Sequence, residues 1–333
     1  MSPFSRTTKL GIAVAALVVA ALIAAMLYNP APPVVVLPNP NGYDDFAQAT
    51  QIVVPDQSLK NPTLDQLRAS VEENSKALDL VRTGLTKQCH VPIRYDQSYI
   101  TNLLPQLGEF KQMALAFVAE GKLAEKENRS SDAIQSYLDC VKFGAESMRG
   151  GLLIEKLVGV ACESIGMREL RRLFAGLSAE DTKNLLAALT EIQSKQESAD
   201  DWMKPERDWS RYSFKDWRYA IVRLMNRKGM RESERRSFDK HYRSQTEVRL
   251  LRSDLALKLF RLEKGVYPDR LDELVPKFLD SVPIDPFSDK PMIYRAQTNS
   301  YLLHSIGPDR KDDGGVALTP NSKGIGDILS TAP

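Results

Sequence analysis

The chain has 333 residues, of which 43% are hydrophobic and 26% are charged, and its formal net charge is +2. These values are ordinary for a globular protein, and the length suggests about two domains. The small net charge gives no overall preference for nucleic acid or for an acidic partner.

The first predicted element is an apolar segment near the N-terminus. Leu10–Tyr28 carries no charged side chain, and about twenty apolar residues are needed to cross a bilayer as a helix. Arg6 and Lys9 precede the segment, and the next basic residue is Lys60. This asymmetry predicts an N-terminus inside the cell and a folded part outside it. We therefore expect residues 1–28 to form an uncleaved single-pass anchor in a bacterial inner membrane, with a cleaved signal peptide as the alternative.

A proline-rich segment follows the anchor. Residues 29–62 contain seven prolines, and proline fixes φ and favours extended backbone. This composition predicts a stiff, extended spacer.

Residues 63–200 have the apolar periodicity of helices. Thr63 is a candidate N-cap, and proline residues at 92 and 105 are expected to separate helices. Within this domain, residues 110–128 and 132–148 predict an antiparallel helix pair. Small or aromatic residues stand where the two helices of a tetratricopeptide-like hairpin approach each other, namely Gly121, Ala133, Tyr137 and Cys140.

The chain has three cysteines. Cys140 and Cys162 lie at similar distances from the predicted turn at Gly150-Gly151, so a disulfide between them is geometrically allowed if their Cα atoms approach within ~7 Å. The alternative is that both are small buried apolar side chains.

Residues 201–245 form a basic and aromatic connecting segment that contains all three tryptophans, Trp202, Trp209 and Trp217. Such a composition can bind nucleic acid or a membrane surface. Because the chain is expected to be exported, we predict no nucleic acid partner. The two remaining interpretations are contact with lipid headgroups and packing of the aromatic rings against the helical domain.

The last segment, residues 246–333, combines a helix with short strands. An amphipathic helix is predicted over Thr246–Lys264, and Gly265 is expected to end it. Residues 292–295 and 301–304 flank a polar turn and predict a β-hairpin.

Several short motifs follow in a particular order, and together they carry a resemblance. They are Tyr267-Pro268, Pro283-x-Asp285-Pro286-Phe287, Tyr294, Ser305-x-Gly307-x-Asp309 and Asp327-Ile328. In this order and spacing, residues 246–328 resemble the C-terminal domain of the major pseudopilin of the type II secretion system, protein G. The resemblance implies a small α+β domain whose closing loop binds Ca²⁺.

Transferred by position, the calcium ligands of that family would be the carboxylates of Asp309 and Asp327 and the backbone carbonyl of Ile306. Asp312 or Asp313 would complete the set. Calcium takes six to eight oxygen ligands and accepts irregular loops. The alternative is a solvated polar turn without a metal.

The resemblance does not extend to filament formation. No pilin cleavage site is present, and more than two hundred residues separate the apolar segment from Thr246. We therefore expect a mostly α-helical protein made of a transmembrane helix, a helical hairpin domain and a small α+β C-terminal domain.

The predicted function is that of a membrane-anchored extracytoplasmic scaffold or adaptor, not an enzyme, that binds envelope or secretion-related proteins. A small-molecule substrate is not expected, since the sequence has no nucleophile elbow, no phosphate-binding glycine loop and no HExxH motif. The alternative is an envelope hydrolase that uses a pair of carboxylates in the helical domain.

Overall fold

The computed structural model describes residues 14, 16–17, 19–20, 31–55, 62–213, 225–319 and 324–330. The mostly helical class is confirmed. Helices α1 to α8 span Gly42–Ile52, Leu64–Leu85, Ser98–Lys126, Ser130–Ser147, Leu153–Leu173, Ala179–Ser194, Ala199–Ser213 and Arg227–Lys264. Strands β1 to β5 span Ile284–Asp285, Lys290–Pro291, Ile293–Ala296, Tyr301–Ser305 and Ile328–Leu329.

The predicted fold class included a transmembrane helix, and this part of the prediction is not supported. Within the described ranges, no helix is both long enough and apolar enough to cross a membrane. Of residues 10–28, positions 14, 16, 17, 19 and 20 are described and are helical, and the others lie outside the described residues.

Helix α1 lies inside the segment that was predicted to be an extended spacer. Asn41 caps it, because its side chain accepts a hydrogen bond from the Tyr43 amide at 3.2 Å. Phe46 and Ala49 are fully buried on the face that packs on α2. At the contact, a Cβ on Gly42 would lie 2.3 Å from the carbonyl oxygen of Gly84, so the two backbones touch. The prolines therefore surround a packed helix rather than a continuous spacer.

Helices α2 and α3 show where local signals were sufficient and where they were not. The Thr63 cap is confirmed, and Gln66 completes a capping box with it. In contrast, α3 begins at Ser98 and continues through Pro105, although proline removes one helical hydrogen bond. Leu103 and Phe110 are buried in the same core on either side of that position, which offsets the loss.

The predicted hairpin of α3 and α4 is confirmed. Asn128 takes the left-handed conformation, with φ of 60°, in the turn between them. Gly121 permits the close approach, because a Cβ there would lie 2.3 Å from the ring of Tyr137. Ala133 and Tyr137 are fully buried.

The two cysteines do face each other across α4 and α5, but they form no disulfide. Both are free and fully buried. The Cys140 thiol lies 3.4 Å from the carbonyl oxygen of Cys162, while the Cys162 thiol lies 3.5 Å from that of Phe110. Gly144 permits the close approach of α4 and α5, because a Cβ there would lie 2.4 Å from the amide nitrogen of Glu163. The interpretation as small buried side chains therefore describes them.

The connecting segment packs on the helical part through its aromatic rings. Trp202 and Trp209 are buried, and the Trp209 indole donates to the carbonyl of Arg94 at 3.1 Å. Trp217 lies outside the described residues. Helix α8 begins at Arg227 and crosses the predicted boundary at residue 246, while its predicted end at Gly265 is confirmed by a φ of 80°. The division of the chain into five parts stays a prediction.

The C-terminal part contains two small antiparallel sheets. Strand β1 pairs with β2, and the three-stranded sheet has the order β3-β4-β5. The predicted hairpin is confirmed, with Tyr294 opposite Leu303. Apolar residues of this sheet and of α4, α5, α6 and α8 belong to one hydrophobic core. The sheet is therefore fixed to the helical part, with one face directed toward α8.

Asp285 holds the two sheets together. Its side chain is 1% exposed and accepts hydrogen bonds from the Ser305 hydroxyl at 2.7 Å, the Ile306 amide at 3.0 Å and the Phe287 amide at 3.0 Å. Three donors stabilise a buried carboxylate that would otherwise be costly. Strand β4 thereby receives a fixed position beneath the closing loop.

Candidate metal centre

His304 is positioned by the alternation of strand β4. Tyr301 and Leu303 belong to the core beneath α8, and the Tyr301 hydroxyl donates to Asp254 of that helix. Because successive side chains of a strand point to opposite faces, His304 lies on the other face of the sheet. It is nevertheless fully buried. This face is therefore covered by the segment between β4 and β5, whose described residues, 306–319 and 324–327, are here called the closing loop.

Two aspartates of the closing segments meet this histidine. The Nε2 atom of His304 lies 3.1 Å from Oδ1 of Asp312 and 3.5 Å from Oδ2 of Asp327. One ligand atom from each residue falls within 4.8 Å of the other two. His304 and Asp327 have no exposed side-chain surface, whereas the Asp312 side chain is 41% exposed. The group therefore has one side open to solvent.

Backbone amides of the loop orient both carboxylates. Gly315 donates to Asp327 Oδ2 at 2.7 Å and Asp313 to Asp327 Oδ1 at 3.3 Å. Gly314 donates to Asp312 Oδ1 at 2.9 Å. The hydrogen bond with His304 and then the one from Gly314 lower the pKa of Asp312 below its usual value. Asp312 is thus held in the ionised form that binds cations.

The main chain holds this loop against the sheet. The Asp327 amide donates to the carbonyl of Val316 at 2.7 Å, and Leu318 donates back to the carbonyl of Asp327 at 2.8 Å. A Cβ on Gly307, whose φ is 68°, would lie 2.4 Å from the carbonyl oxygen of Gly326. These contacts require glycine at this close approach and bring residue 327 next to β4.

Only part of the predicted ligand set converges. Asp312 and Asp327 come together. Asp327 was transferred by position from the resemblance, and Asp312 was one of the two aspartates expected to complete the set. Asp309 and Asp313 are not in the group of ligand atoms that the described residues form. Asp309 instead accepts from the Lys311 amide at 3.3 Å within its own turn. The predicted ligand at Ile306 was its backbone carbonyl, and this stays a prediction; the amide of the same residue donates to Asp285.

The residue that the sequence argument missed is His304. Its position on the hairpin, facing away from the core residues of its strand, was visible in the alternation. The fold of the closing loop over that face was not, because residues 304 and 327 are far apart in the sequence. A histidine that alternates with core residues opposite an aspartate-rich loop is the signal that could have found it.

These atoms fit a small transition-metal ion better than calcium. With ligand bonds of about 2.1 Å, neighbouring atoms of a tetrahedral zinc shell lie about 3.4 Å apart. The two separations from His304 Nε2, 3.1 and 3.5 Å, are close to this value, and the carboxylate oxygens lie within 4.8 Å of each other. Imidazole suits Zn²⁺, Fe²⁺ and similar ions, whereas calcium takes oxygen ligands. Nothing in the structure indicates calcium itself.

Two buried polar atoms bear on the strength of such a site. Among the described residues, Asp313 Oδ2 and His304 Nδ1 are buried without a hydrogen-bond partner. An unpaired buried carboxylate oxygen is stabilised by a nearby cation. The second nitrogen of a metal-binding histidine, however, usually donates to an outer partner. We therefore expect moderate affinity.

The carboxylates of the helical part were the basis of the alternative enzymatic interpretation. Burial raises the pKa of Glu155 to about 7 and that of Glu163 to about 7. Glu155 lines a cavity of about 10 Å³ and Glu163 one of about 20 Å³. Each has room for a single water molecule. The amide of Leu152 and the hydroxyl of Tyr99 donate to Glu155, so its two oxygens have structural partners.

Comparison with known proteins gives no relative. No protein-family model, no curated protein and no solved structure matches this chain. The resemblance to the secretion pseudopilin therefore stays a prediction.

Proposed function

We propose that this chain is a structural interaction protein whose C-terminal sheet is closed by a divalent transition-metal ion bound to His304, Asp312 and Asp327. The convergence of these three side chains, whose ligand atoms lie within 4.8 Å of one another although they come from separate segments, carries the proposal. A cation there would neutralise two neighbouring carboxylates. It would also join β4, the closing loop and the start of β5.

Interaction with another protein is the role that this closed loop supports. Val316 and Ile325 are 63% and 61% exposed. Val316 follows Gly315, which donates to Asp327, and Ile325 lies two positions before Asp327. Metal binding would hold both apolar side chains in fixed positions, at which a partner protein could bury them. The resemblance to a secretion pseudopilin agrees with such a structural role.

Metal binding is tested on the chelator-treated full chain by titration with ZnCl₂, MnCl₂ and CaCl₂. We expect one equivalent of Zn²⁺ or Mn²⁺ to bind. When the free metal concentration is a hundred times Kd, the free energy of unfolding should rise by about 2.7 kcal/mol, which corresponds to a rise in Tm of roughly 5 °C. His304→Ala and Asp327→Asn should abolish both effects. Asp309→Asn is the matched control in the same loop and should bind as the wild type does.

Two results would contradict this assignment. A loss of binding in Asp309→Asn, together with a preference for Ca²⁺, would favour the calcium ligands implied by the resemblance. Unchanged melting with every ion, and no bound metal by mass spectrometry, would leave His304 as a buried histidine that is hydrogen-bonded to Asp312.

The interaction role needs a separate measurement. A photo-crosslinking amino acid at position 316 should give a discrete crosslinked partner in cells, and Asp327→Asn should reduce it. Position 262 is the control, because Leu262 on α8 is equally exposed, at 59%. Equal crosslinking at both positions, or none at 316, would contradict the proposed interaction surface.

A further inference from the structure

A second site is formed where α8 passes the segment that leads into β1. A cavity of about 230 Å³ lies between them. Its apolar lining comes from this segment, and most of its polar lining comes from α8 and the end of α6. The polar residues that line it are Gln193, Arg249, Arg252, Ser253 and Ser281.

Two guanidinium groups line this cavity, and the groups that accept hydrogen bonds from them are neutral. Arg252 is only 9% exposed and donates to the hydroxyl of Thr190 at 3.1 Å and to the side-chain oxygen of Gln193. Arg249 donates to the carbonyl oxygen of Ile284. The Nε atom of Arg249 is buried and has no hydrogen-bond partner in the described part of the chain.

The nearby carboxylates do not balance these charges. Asp280 lies 3.8 Å from Arg252, but its side chain is 82% exposed. Asp285 and Asp289 raise the pKa of Arg249 only through longer-range attraction, and burial outweighs them and lowers it. Asp285 already accepts three hydrogen bonds from other groups. Burial also lowers the pKa of Arg252; Asp280 raises it by less than burial lowers it, and the charge of Arg249 lowers it further.

From this arrangement we infer that the cavity binds a phosphate group, carried either by inorganic phosphate or by a small phosphomonoester. Buried charges without opposite charges are costly, and guanidinium groups bind phosphate through directed hydrogen bonds. Phosphate carries a charge of about −1.5 to −2 at pH 7. It can therefore balance two arginines, whereas a single carboxylate would balance only one.

The remaining walls fit such a ligand. The Ser281 hydroxyl offers a further donor, while Leu279, Val282 and Pro283 provide an apolar surface for the carbon part of a monoester. The volume admits phosphate or a compact ester, since pockets for larger ligands are typically ~300 Å³ or more.

The inference is tested by calorimetric titration of the full chain with inorganic phosphate and with glycerol phosphate, at matched ionic strength. We expect saturable binding with a Kd below about 1 mM. Tighter binding of the ester would identify phosphomonoesters as the ligand class, and equal or weaker binding would identify free phosphate. Chloride should give no saturable heat.

Variants of both arginines keep the test independent of folding. Arg249→Gln changes the less buried of the two arginines and should raise Kd at least tenfold. This corresponds to about 1.4 kcal/mol of binding free energy, as expected for a lost hydrogen bond to a charged group. Arg252→Gln should do the same if its melting curve shows a folded protein. Arg243→Gln is the control, because Arg243 is exposed on α8 and pairs with Glu247. Absence of saturable binding by the wild type, or equal binding by Arg249→Gln, would overturn the inference.

Discussion

Lys156 forms a buried ion pair whose removal should destabilise the protein measurably. Its side chain has no exposed surface, and its ammonium group pairs with the Glu197 carboxylate. The ammonium nitrogen also lies 4.7 Å from the ring centroid of Trp202. Substitution of Lys156 by methionine keeps most of the side-chain length and removes the charge.

The expected cost follows from what Glu197 retains. Loss of one partner of a buried ion pair costs about 3–5 kcal/mol, because the other charge stays buried. The Glu197 side chain is 14% exposed and still accepts from the Gly150 amide at 3.0 Å. We therefore expect Lys156→Met to cost about 3 kcal/mol, and to lower Tm by roughly 6 °C.

Thermal and urea unfolding of a double-mutant cycle would measure this energy. Glu197→Gln combined with Lys156→Met should recover about 2 kcal/mol relative to the sum of the single variants, because no charge is then left unpaired. Lys195→Met is the surface control: its pair with Glu191 is more than half exposed on both sides, and it should cost less than about 1 kcal/mol. A Lys156→Met variant as stable as the wild type would refute the reasoning. So would strictly additive changes in the free energy of unfolding across the cycle.

Two further predictions concern pH and have opposite signs. Burial and then the charge of Lys156 lower the pKa of His241 to about 4. Stability should therefore fall by about 3 kcal/mol as the pH falls from 6.5 to 4; His241→Phe, which keeps an aromatic ring against Trp202, should lack this loss in melts across that range. Burial raises the pKa of Glu163 to about 7, so the protein should lose stability as the pH rises from 4.5 to 7. The free energy of unfolding of Glu163→Gln, relative to that of the wild type, should therefore be higher at pH 8 than at pH 4.5 by up to about 3 kcal/mol. A constant difference at both pH values would contradict it.

The local signals that held are those that depend on neighbouring residues. Thr63 caps α2 through a side-chain oxygen that accepts from the amide three residues later. Gly265 ends α8 because it takes a positive φ at low cost. Such contacts are determined within a few residues, so the sequence pattern is enough to predict them.

Other local signals were outweighed by packing. Proline at 105 did not interrupt α3, and proline-rich surroundings did not prevent α1 from forming. In both cases burial of apolar side chains such as Phe46 and Phe110 supplies more free energy than the local preference removes. A short run of apolar residues between prolines does not reveal that a partner helix will cover it.

The sequence by itself determined the helical class, the antiparallel hairpin of α3 and α4 and the strand pair of the C-terminal sheet. Asp312 and Asp327 were named only through the resemblance, with calcium as the expected ion. Tertiary structure alone decided that His304 meets Asp312 and Asp327, and that Arg249 and Arg252 line a cavity with Gln193 of another helix. The physical reason is that both sites join residues from distant segments. Their distances are set by the packing of a common core, which no local periodicity encodes.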